Sequence, residues 1–263
     1  MKTEIMKPDW AFHPDQWSFV FLQGLNKILH EWRGKSVWEV GVGTGNNIIE
    51  LYNKTEVRKW YISDLNPNCT LLAYENILNS VPFNQGNIIP LYGVWDLVTP
   101  QNDSTAEAPK VDIIFGCIHQ IPAEINLLQA DNMAHYYNPE KYLDSHLNIL
   151  GLGLNEALLK RSKILVRDSV VLNLCGRPGL EKLCNMFTDN NYTPKIIHKD
   201  IVPQDIHTSL SSLVSFEEQG LNDFEFFLDM NGRIKLNAHE AKYVMHTGRN
   251  VYHMIYVIKG VVT

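Results

Sequence analysis

The sequence predicts an α/β protein with a doubly wound, mostly parallel β-sheet. Short apolar segments typical of buried strands alternate with segments of helical periodicity along most of the 263 residues. One of these strands, "KSVWEVGVG", runs into a glycine-rich turn that is followed by a helical segment. Alternating strands and helices favour parallel strands joined by right-handed crossovers, with helices on both faces of the sheet.

The N-terminal segment "DQWSFVFLQGLNKILHEW" is expected to form a helix that covers the sheet. Its apolar residues Leu22, Leu25, Ile28 and Leu29 recur at helical spacing on one face. We therefore predict an N-terminal lid over residues 1–35 and a main domain over residues 36–263, which together form one compact unit.

The remaining elements follow in order along the chain. After the first strand, the patterns predict strands at "RKWYISDLNP", "GNIIPLYGVWDL", "VDIIFGCIHQIP" and "DSVVLNLCGRPG". Helices are expected at "NNIIELYNKTE", "NCTLLAYENILNS" and "GLEKLCNMFTDNN", and a long helical insertion precedes the fifth strand. Three further strands are predicted at "KIIHKDIVP", "DFEFFLDM" and "VYHMIYVIKG".

Composition excludes several classes of function. A formal net charge of -6 and a pI near 5.9 argue against nucleic acid as a partner, because such proteins usually cluster lysine and arginine. The four cysteines have neither paired nor metal-ligand spacing, and the histidines are scattered, so no metal site is expected. No signal peptide and no membrane span is recognised, and we expect a cytoplasmic protein that acts on a small molecule.

The glycine turn indicates which ligand the sheet holds. A dinucleotide-binding turn carries its third glycine where this chain has Asn46. Here Glu39 precedes Gly41, Gly43 and Gly45, and this E-x-G-x-G-x-G pattern is typical of S-adenosylmethionine (SAM) methyltransferases. An acidic residue near the turn suits the free ammonium of SAM, which has no pyrophosphate to bind. We therefore predict a Rossmann-like class I SAM-dependent methyltransferase fold.

Two further carboxylates follow at successive strand ends. Asp64 closes the second strand, where a carboxylate accepts hydrogen bonds from both ribose hydroxyls. Asp96, in "GVWDL" after the third strand, is suited to bind the adenine amino group. The residues predicted to bind the cofactor are Trp17, Glu39, Gly41, Gly43, Gly45, Asp64, Leu65, Asp96 and Cys117.

From Trp17 onward the chain resembles the methyltransferase domain of the methionine S-methyltransferase family. The resemblance rests on the segments "WSFVFLQGLN", "EVGVGTG", "SDLNP", "GCIHQI", "LGLGL", "NLCGRPG", "SSLV" and "FEFFLD". It implies methylation of the sulfur of methionine, with S-adenosylhomocysteine as the second product. Enzymes that cyclise SAM to azetidine-2-carboxylic acid with release of methylthioadenosine are similar, and they provide the main alternative.

Methionine sulfur carries no proton, so the implied transfer needs alignment and aromatic faces rather than a general base. The residues predicted to assist catalysis are Tyr136, Asn138 and Ser211. The residues predicted to bind the acceptor are Phe19, His119, Tyr137 and Arg177, and the arginine is a candidate for the acceptor carboxylate. Methylation of another acceptor and SAM binding without turnover also remain open.

Overall fold

The fold is taken from a computed structural model, which describes residues 5–8, 11–12, 14–81, 87–92, 108–120, 146–206 and 208–263. Its β-strands are β1 Ser36–Val40, β2 Lys59–Ser63, β3 Ile88–Pro90, β4 Val111–Gly116, β5 Val166–Cys175, β6 Tyr192–Pro203, β7 Phe226–Phe227, β8 Lys235–Leu236 and β9 Tyr252–Val262. Its α-helices are α1 Gln16–Ile28, α2 Asn46–Leu51, α3 Pro67–Ser80, α4 Gly153–Ser162, α5 Leu180–Asp189, α6 Ser211–Glu218 and α7 Ala238–His246. Short 3-10 turns span Leu29–Trp32, Tyr52–Lys54 and His146–Asn148.

The described strands form a single sheet in the order β3-β2-β1-β4-β5-β9-β7-β8, and β6 pairs with β9. Strands β1 to β5 are parallel, whereas β9 runs antiparallel to both β5 and β6. The order reverses between β1 and β4. Ligands of open α/β sheets bind outside the carboxyl ends of the strands at such a switch point. The predicted α/β fold with a mostly parallel sheet is confirmed.

Helices cover both faces of this sheet, and each face has its own apolar core. One core contains Trp38 and Leu172, packed against side chains of α4 to α7. The other contains Trp60 and Val171, packed against α1, α2 and α3. Strands that are buried on both faces explain why the strand segments read as continuous apolar runs rather than alternating ones.

The first helix packs along the sheet at β6 and β9. It begins with a capping box in which Asp15 accepts a hydrogen bond from the backbone of Ser18. Leu25 and Ile28 are buried, as the spacing predicts. Gly24 allows close contact, because a β-carbon there would lie 2.6 Å from a methyl group of Val257.

Two elements near the C-terminus differ from the predictions. The sequence patterns predict no helix at α7 and no strand at β8. Asn237 and Glu240 form a capping box at the start of α7, a signal that "NAHE" carries in the sequence. The predicted helical insertion lies largely outside the described residues, and its described end forms α4. Within the described ranges, none of the helices combines the length and the apolar character needed to cross a bilayer.

Candidate active site

The glycine turn connects β1 to α2 at the carboxyl edge of the sheet. Gly41, Gly43 and Gly45 all have positive φ angles, between 53° and 82°, which favour glycine. The backbone N–H of Gly41 donates to the carbonyl of Ser63 at the end of β2. A β-carbon at Gly45 would lie 3.1 Å from the carbonyl oxygen of Ala73 in α3. The third glycine therefore allows the turn to approach a neighbouring helix closely.

Glu39 is the buried acid of this edge. It is 1% exposed, and its Oε1 accepts a 2.6 Å hydrogen bond from Nδ2 of Asn47. Its Oε2 is buried and has no hydrogen-bond partner among the described residues. Burial, together with the charge of Asp64, raises the pKa of Glu39 to about 8. A buried, incompletely bonded carboxyl of this kind fits a cationic partner such as the SAM ammonium.

Asp64 follows β2 and supports the glycine turn. Its Oδ2 accepts a hydrogen bond from the backbone N–H of Gly43 at 3.0 Å, and its Oδ1 accepts one from Asn66 at 2.9 Å. A carboxylate has about four acceptor positions, and this one follows the second strand, where the sequence predicts contact with the ribose hydroxyls. Leu65 lies beside it, partly buried against the core. The prediction for Asp96 concerns a residue outside the described part of the chain.

A polar group lies where β4 and β5 end beneath α1. The side-chain amide of Asn173, in β5, donates to the carbonyl of Trp17 at 3.0 Å and to Sγ of Cys117 at 3.2 Å. Burial raises the pKa of the Cys117 thiol to about 12, so the thiol is neutral. The structure therefore brings Trp17 and Cys117 together at this edge. Their predicted contacts with SAM stay predictions.

Two of the residues predicted to bind the acceptor, His119 and Arg177, follow the strands that carry this group. Arg177, two residues after β5, donates from Nε to Sγ of Cys175 and from Nη1 to Oε1 of Gln204. His119 lies after β4 in edge contact with the ring of Phe12. Burial lowers the pKa of His119, which favours its neutral form. Both residues are at the carboxyl edge, and their substrate contacts stay predictions.

Two other predicted residues, Phe19 and Ser211, are exposed, and their roles stay predictions. Phe19 is 62% exposed, on the side of α1 opposite its buried residues. Ser211 is exposed at the start of α6, where its hydroxyl accepts hydrogen bonds from Ser209 and from Lys242 of α7. No hydrogen bond joins Ser211 to the other predicted site residues that the structure describes. Like Asp96, the predicted residues Tyr136, Tyr137 and Asn138 lie outside the described part of the chain.

Three further residues of this edge were not predicted as site residues. Oε1 of Gln120 accepts a hydrogen bond from the backbone N–H of Cys175 at 2.5 Å, which joins the segment after β4 to the end of β5. Asn173 donates the two bonds described above, and the ring of His253 lies 5.5 Å from the ring of Trp17. Gln120 and Asn173 stand within "GCIHQI" and "NLCGRPG", whereas His253 in "VYHMIYVIKG" carries no local signal. In the described ranges, no cluster of three His, Cys, Asp or Glu residues could hold a metal ion.

The sequence is similar to plant methionine S-methyltransferases. It is 26% identical to the enzyme of Zea mays over 97% of this chain, and 25% identical to that of Arabidopsis thaliana over 97%. The chain spans about a quarter of the length of these relatives, 25% and 26% respectively. No protein-family model matches the chain.

Solved structures agree with this fold. A Bacillus halodurans C-125 protein provisionally assigned as a methyltransferase superposes with a TM-score of 0.53 at 11% identity, covering 92% of this chain and 99% of its own. At this identity, the likeness shows the fold of the chain. The chain thus has the class I SAM-dependent methyltransferase fold, and its predicted resemblance to the methionine S-methyltransferases is confirmed over 97% of its length.

Proposed function

We propose that the protein transfers a methyl group from SAM to the sulfur of a small amino acid, methionine, to form S-methylmethionine. The observation that carries this proposal is the similarity to methionine S-methyltransferases across 97% of the chain. A short shared motif would support only SAM binding. The similarity over most of the chain also includes the segments that follow β4 and β5. These segments lie at the carboxyl edge of the sheet, where ligands bind, beyond the turn that would hold the cofactor.

The residues at the switch point suit the cofactor. Glu39, with one buried oxygen unbonded among the described residues, would pair with the SAM ammonium. Asp64 would accept the ribose hydroxyls while holding Gly43, and the glycine turn leaves the backbone open to the ligand. When bound, SAM supplies an activated methyl group on a sulfonium sulfur.

The neutral side chains around the acceptor position suit a reaction without proton transfer. The acceptor sulfur forms a bond to the methyl carbon as the donor sulfur loses its own, and no proton moves. Cys117 is neutral because burial raises its pKa, and His119 is neutral because burial lowers its pKa. Alignment of the two sulfurs and the methyl carbon can contribute roughly 7–11 kcal/mol to lowering the barrier. The face of Trp17 can stabilise the moving positive charge by about 0.5–2 kcal/mol.

The test is product analysis by mass spectrometry after incubation of the protein with SAM, with and without methionine. S-methylmethionine and S-adenosylhomocysteine, formed only when methionine is present, are the expected products. Methylthioadenosine formed without methionine would replace the proposal with cyclisation of SAM. Saturable SAM binding without either product would point to another acceptor or to a regulatory protein.

The cofactor contact is tested separately with Asp64→Ala. Loss of the ribose hydrogen bonds should weaken SAM binding by roughly 1–3 kcal/mol, measured by titration calorimetry. Asp223→Asn, an exposed aspartate in the loop before β7, provides the control and should bind SAM as the wild type does. Unchanged affinity in Asp64→Ala would show that the ribose binds elsewhere.

The same proposal includes the protein's partner and location. Its partner would be a small amino acid rather than nucleic acid or membrane, as the acidic composition suggests. A cytoplasmic location fits four cysteines that all lie in described segments and are unpaired there. Fractionation of cells that express a tagged full-length chain would test the location.

A further inference from the structure

Beyond the predicted site residues, a group of buried polar atoms near β4, β5 and β9 lacks hydrogen-bond partners within the described part of the chain. These atoms are Nε2 of Gln120, Oδ1 of Asn173 and both ring nitrogens of His253. Asn173 is 0% exposed and His253 is 2% exposed. The first atom is a donor, the second is an acceptor, and a neutral imidazole offers one of each.

Contacts link these residues into one neighbourhood. Gln120 bonds the backbone of Cys175, whose sulfur accepts a bond from Arg177. The charge of Arg177 acts on His253, and the ring of His253 faces that of Trp17. The carbonyl of Trp17 accepts a bond from Asn173, which brings this residue into the same series of contacts.

Strand alternation explains this convergence. Asn173 lies between Val171 and Cys175 on the sheet face that packs against α1. His253 shares the parity of Ile255 and Val257 in β9, and Ile255 is the register partner of Cys175. Cys117 follows Phe115 on the same face of β4. Beneath the N-terminal turn of α1, the ends of these strands therefore place polar side chains close together, next to the apolar Val171 and Ile255 of the same face.

Such an arrangement is costly unless a polar ligand or water completes it. A buried hydrogen-bonding group without a partner costs roughly 1–3 kcal/mol, and apolar side chains of similar size would avoid that cost. Burial and the positive charge of Arg177 lower the pKa of His253 well below its usual value. The imidazole is therefore neutral and keeps both a donor and an acceptor nitrogen.

We infer that Gln120, Asn173 and His253 form the subsite for the ammonium and carboxylate of the acceptor amino acid. Oδ1 of Asn173 accepts from the ammonium, while Nε2 of Gln120 and the N–H of His253 donate to the carboxylate. Arg177 beside His253 makes the local potential favourable for a carboxylate. The inference rests on the proposed function, because it assumes a free amino acid as the acceptor.

The test measures methionine binding by calorimetry to the full chain saturated with S-adenosylhomocysteine. His253→Phe keeps a planar ring against Trp17 and removes both nitrogens, and Gln120→Glu places a negative charge at the carboxylate position. Each should weaken methionine binding about tenfold or more, as expected for a lost hydrogen bond to a charged group. The affinity for S-adenosylhomocysteine should stay within about twofold, which also verifies folding.

A matched control is His198→Phe, in β6, where the imidazole bonds Gln23 on the outer side of α1. This variant should bind methionine normally. Its melting temperature, compared with those of the two site variants, shows whether any loss of methionine binding reflects a loss of fold.

Each outcome decides a different question. Methionine binding that is unchanged in both site variants overturns the subsite, as does a wild-type protein that does not bind methionine. An equal loss of affinity for S-adenosylhomocysteine and for methionine in His253→Phe overturns it too, because the residue then acts on the fold. Methionine binding that the site variants lose, in a wild type that forms no S-methylmethionine, supports the subsite while the proposed reaction fails.

Discussion

Glu39 makes SAM binding depend on pH in a way that can be measured. Burial and the neighbouring charge of Asp64 raise its pKa to about 8 in the protein without ligand. If the SAM ammonium pairs with this side chain, the carboxyl must lose its proton when SAM binds. Binding should therefore release protons at neutral pH and strengthen as the pH rises from 6 to 7.

The magnitude follows from the two titrations involved. With a pKa of about 8, about a tenth of Glu39 is ionised at pH 7 and about a hundredth at pH 6. An α-ammonium with an ordinary pKa of about 7.7–8.0 is largely protonated over the same interval. The affinity should rise about eightfold between pH 6 and pH 7, with release of about 0.8 proton per SAM at pH 7.

Titration calorimetry in buffers of different ionisation enthalpy measures both quantities. Glu39→Gln should remove the pH dependence and the proton release, whereas Glu50→Gln, an exposed glutamate in α2, should keep both. A wild-type affinity that is the same at pH 6 and pH 7, with no proton released, would refute the pairing of an initially neutral Glu39 with the ammonium.

The same pKa also determines how Glu39 affects the stability of the free protein. The folded-state pKa lies above the unfolded value of 4.5, so the contribution to stability is complete below pH 4.5 and is lost as the pH rises through about 8. Glu39→Gln should accordingly raise the melting temperature at pH 9 relative to the wild type and change it little at pH 4.5. A variant with the reverse pattern would contradict a buried neutral carboxyl.

Three further predictions concern the framework of the site. Gly45→Ala should lower the free energy of unfolding by roughly 1–2 kcal/mol through backbone strain, and further through a clash with α3. Gly34→Ala has similar strain but open space around the new methyl group, so it serves as the control. Equal losses in the two variants, measured by denaturant unfolding, would contradict the clash. Gly24→Ala should destabilise by about 1–3 kcal/mol, and shortening the valine it meets in β9 to alanine should restore part of that loss. Glu217 accepts backbone hydrogen bonds from the start of α7. Glu217→Ala should therefore lower the free energy of unfolding by roughly 1–3 kcal/mol, whereas Glu218→Ala, at an exposed position, should change it very little. Similar melting temperatures of the two variants would contradict a stabilising role of these bonds.

Local sequence patterns predicted the parts of the fold that local interactions decide. The strand and helix periodicities, the positive φ angles of the turn glycines and the position of Asp64 after β2 all depend on near neighbours. The same reasoning did not find α7, although Asn237 and Glu240 carry its capping signal. It did not separate exposed Phe19 from buried Phe21, because which face of α1 meets the sheet depends on partners far along the chain.

By itself, the sequence determined the fold class, the glycine turn and the resemblance to a methyltransferase family, since these depend on spacing between near residues. Only the tertiary structure revealed that Gln120, Asn173 and His253 lie in one neighbourhood, at the ends of strands distant in the chain. The order of the strands in the sheet, and the alternation of side chains between its two faces, bring these three residues together. Burial in turn determines the protonation states of Glu39 and His253. A residue's pKa and its unmet hydrogen bonds depend on what surrounds it in space, which no short stretch of sequence specifies.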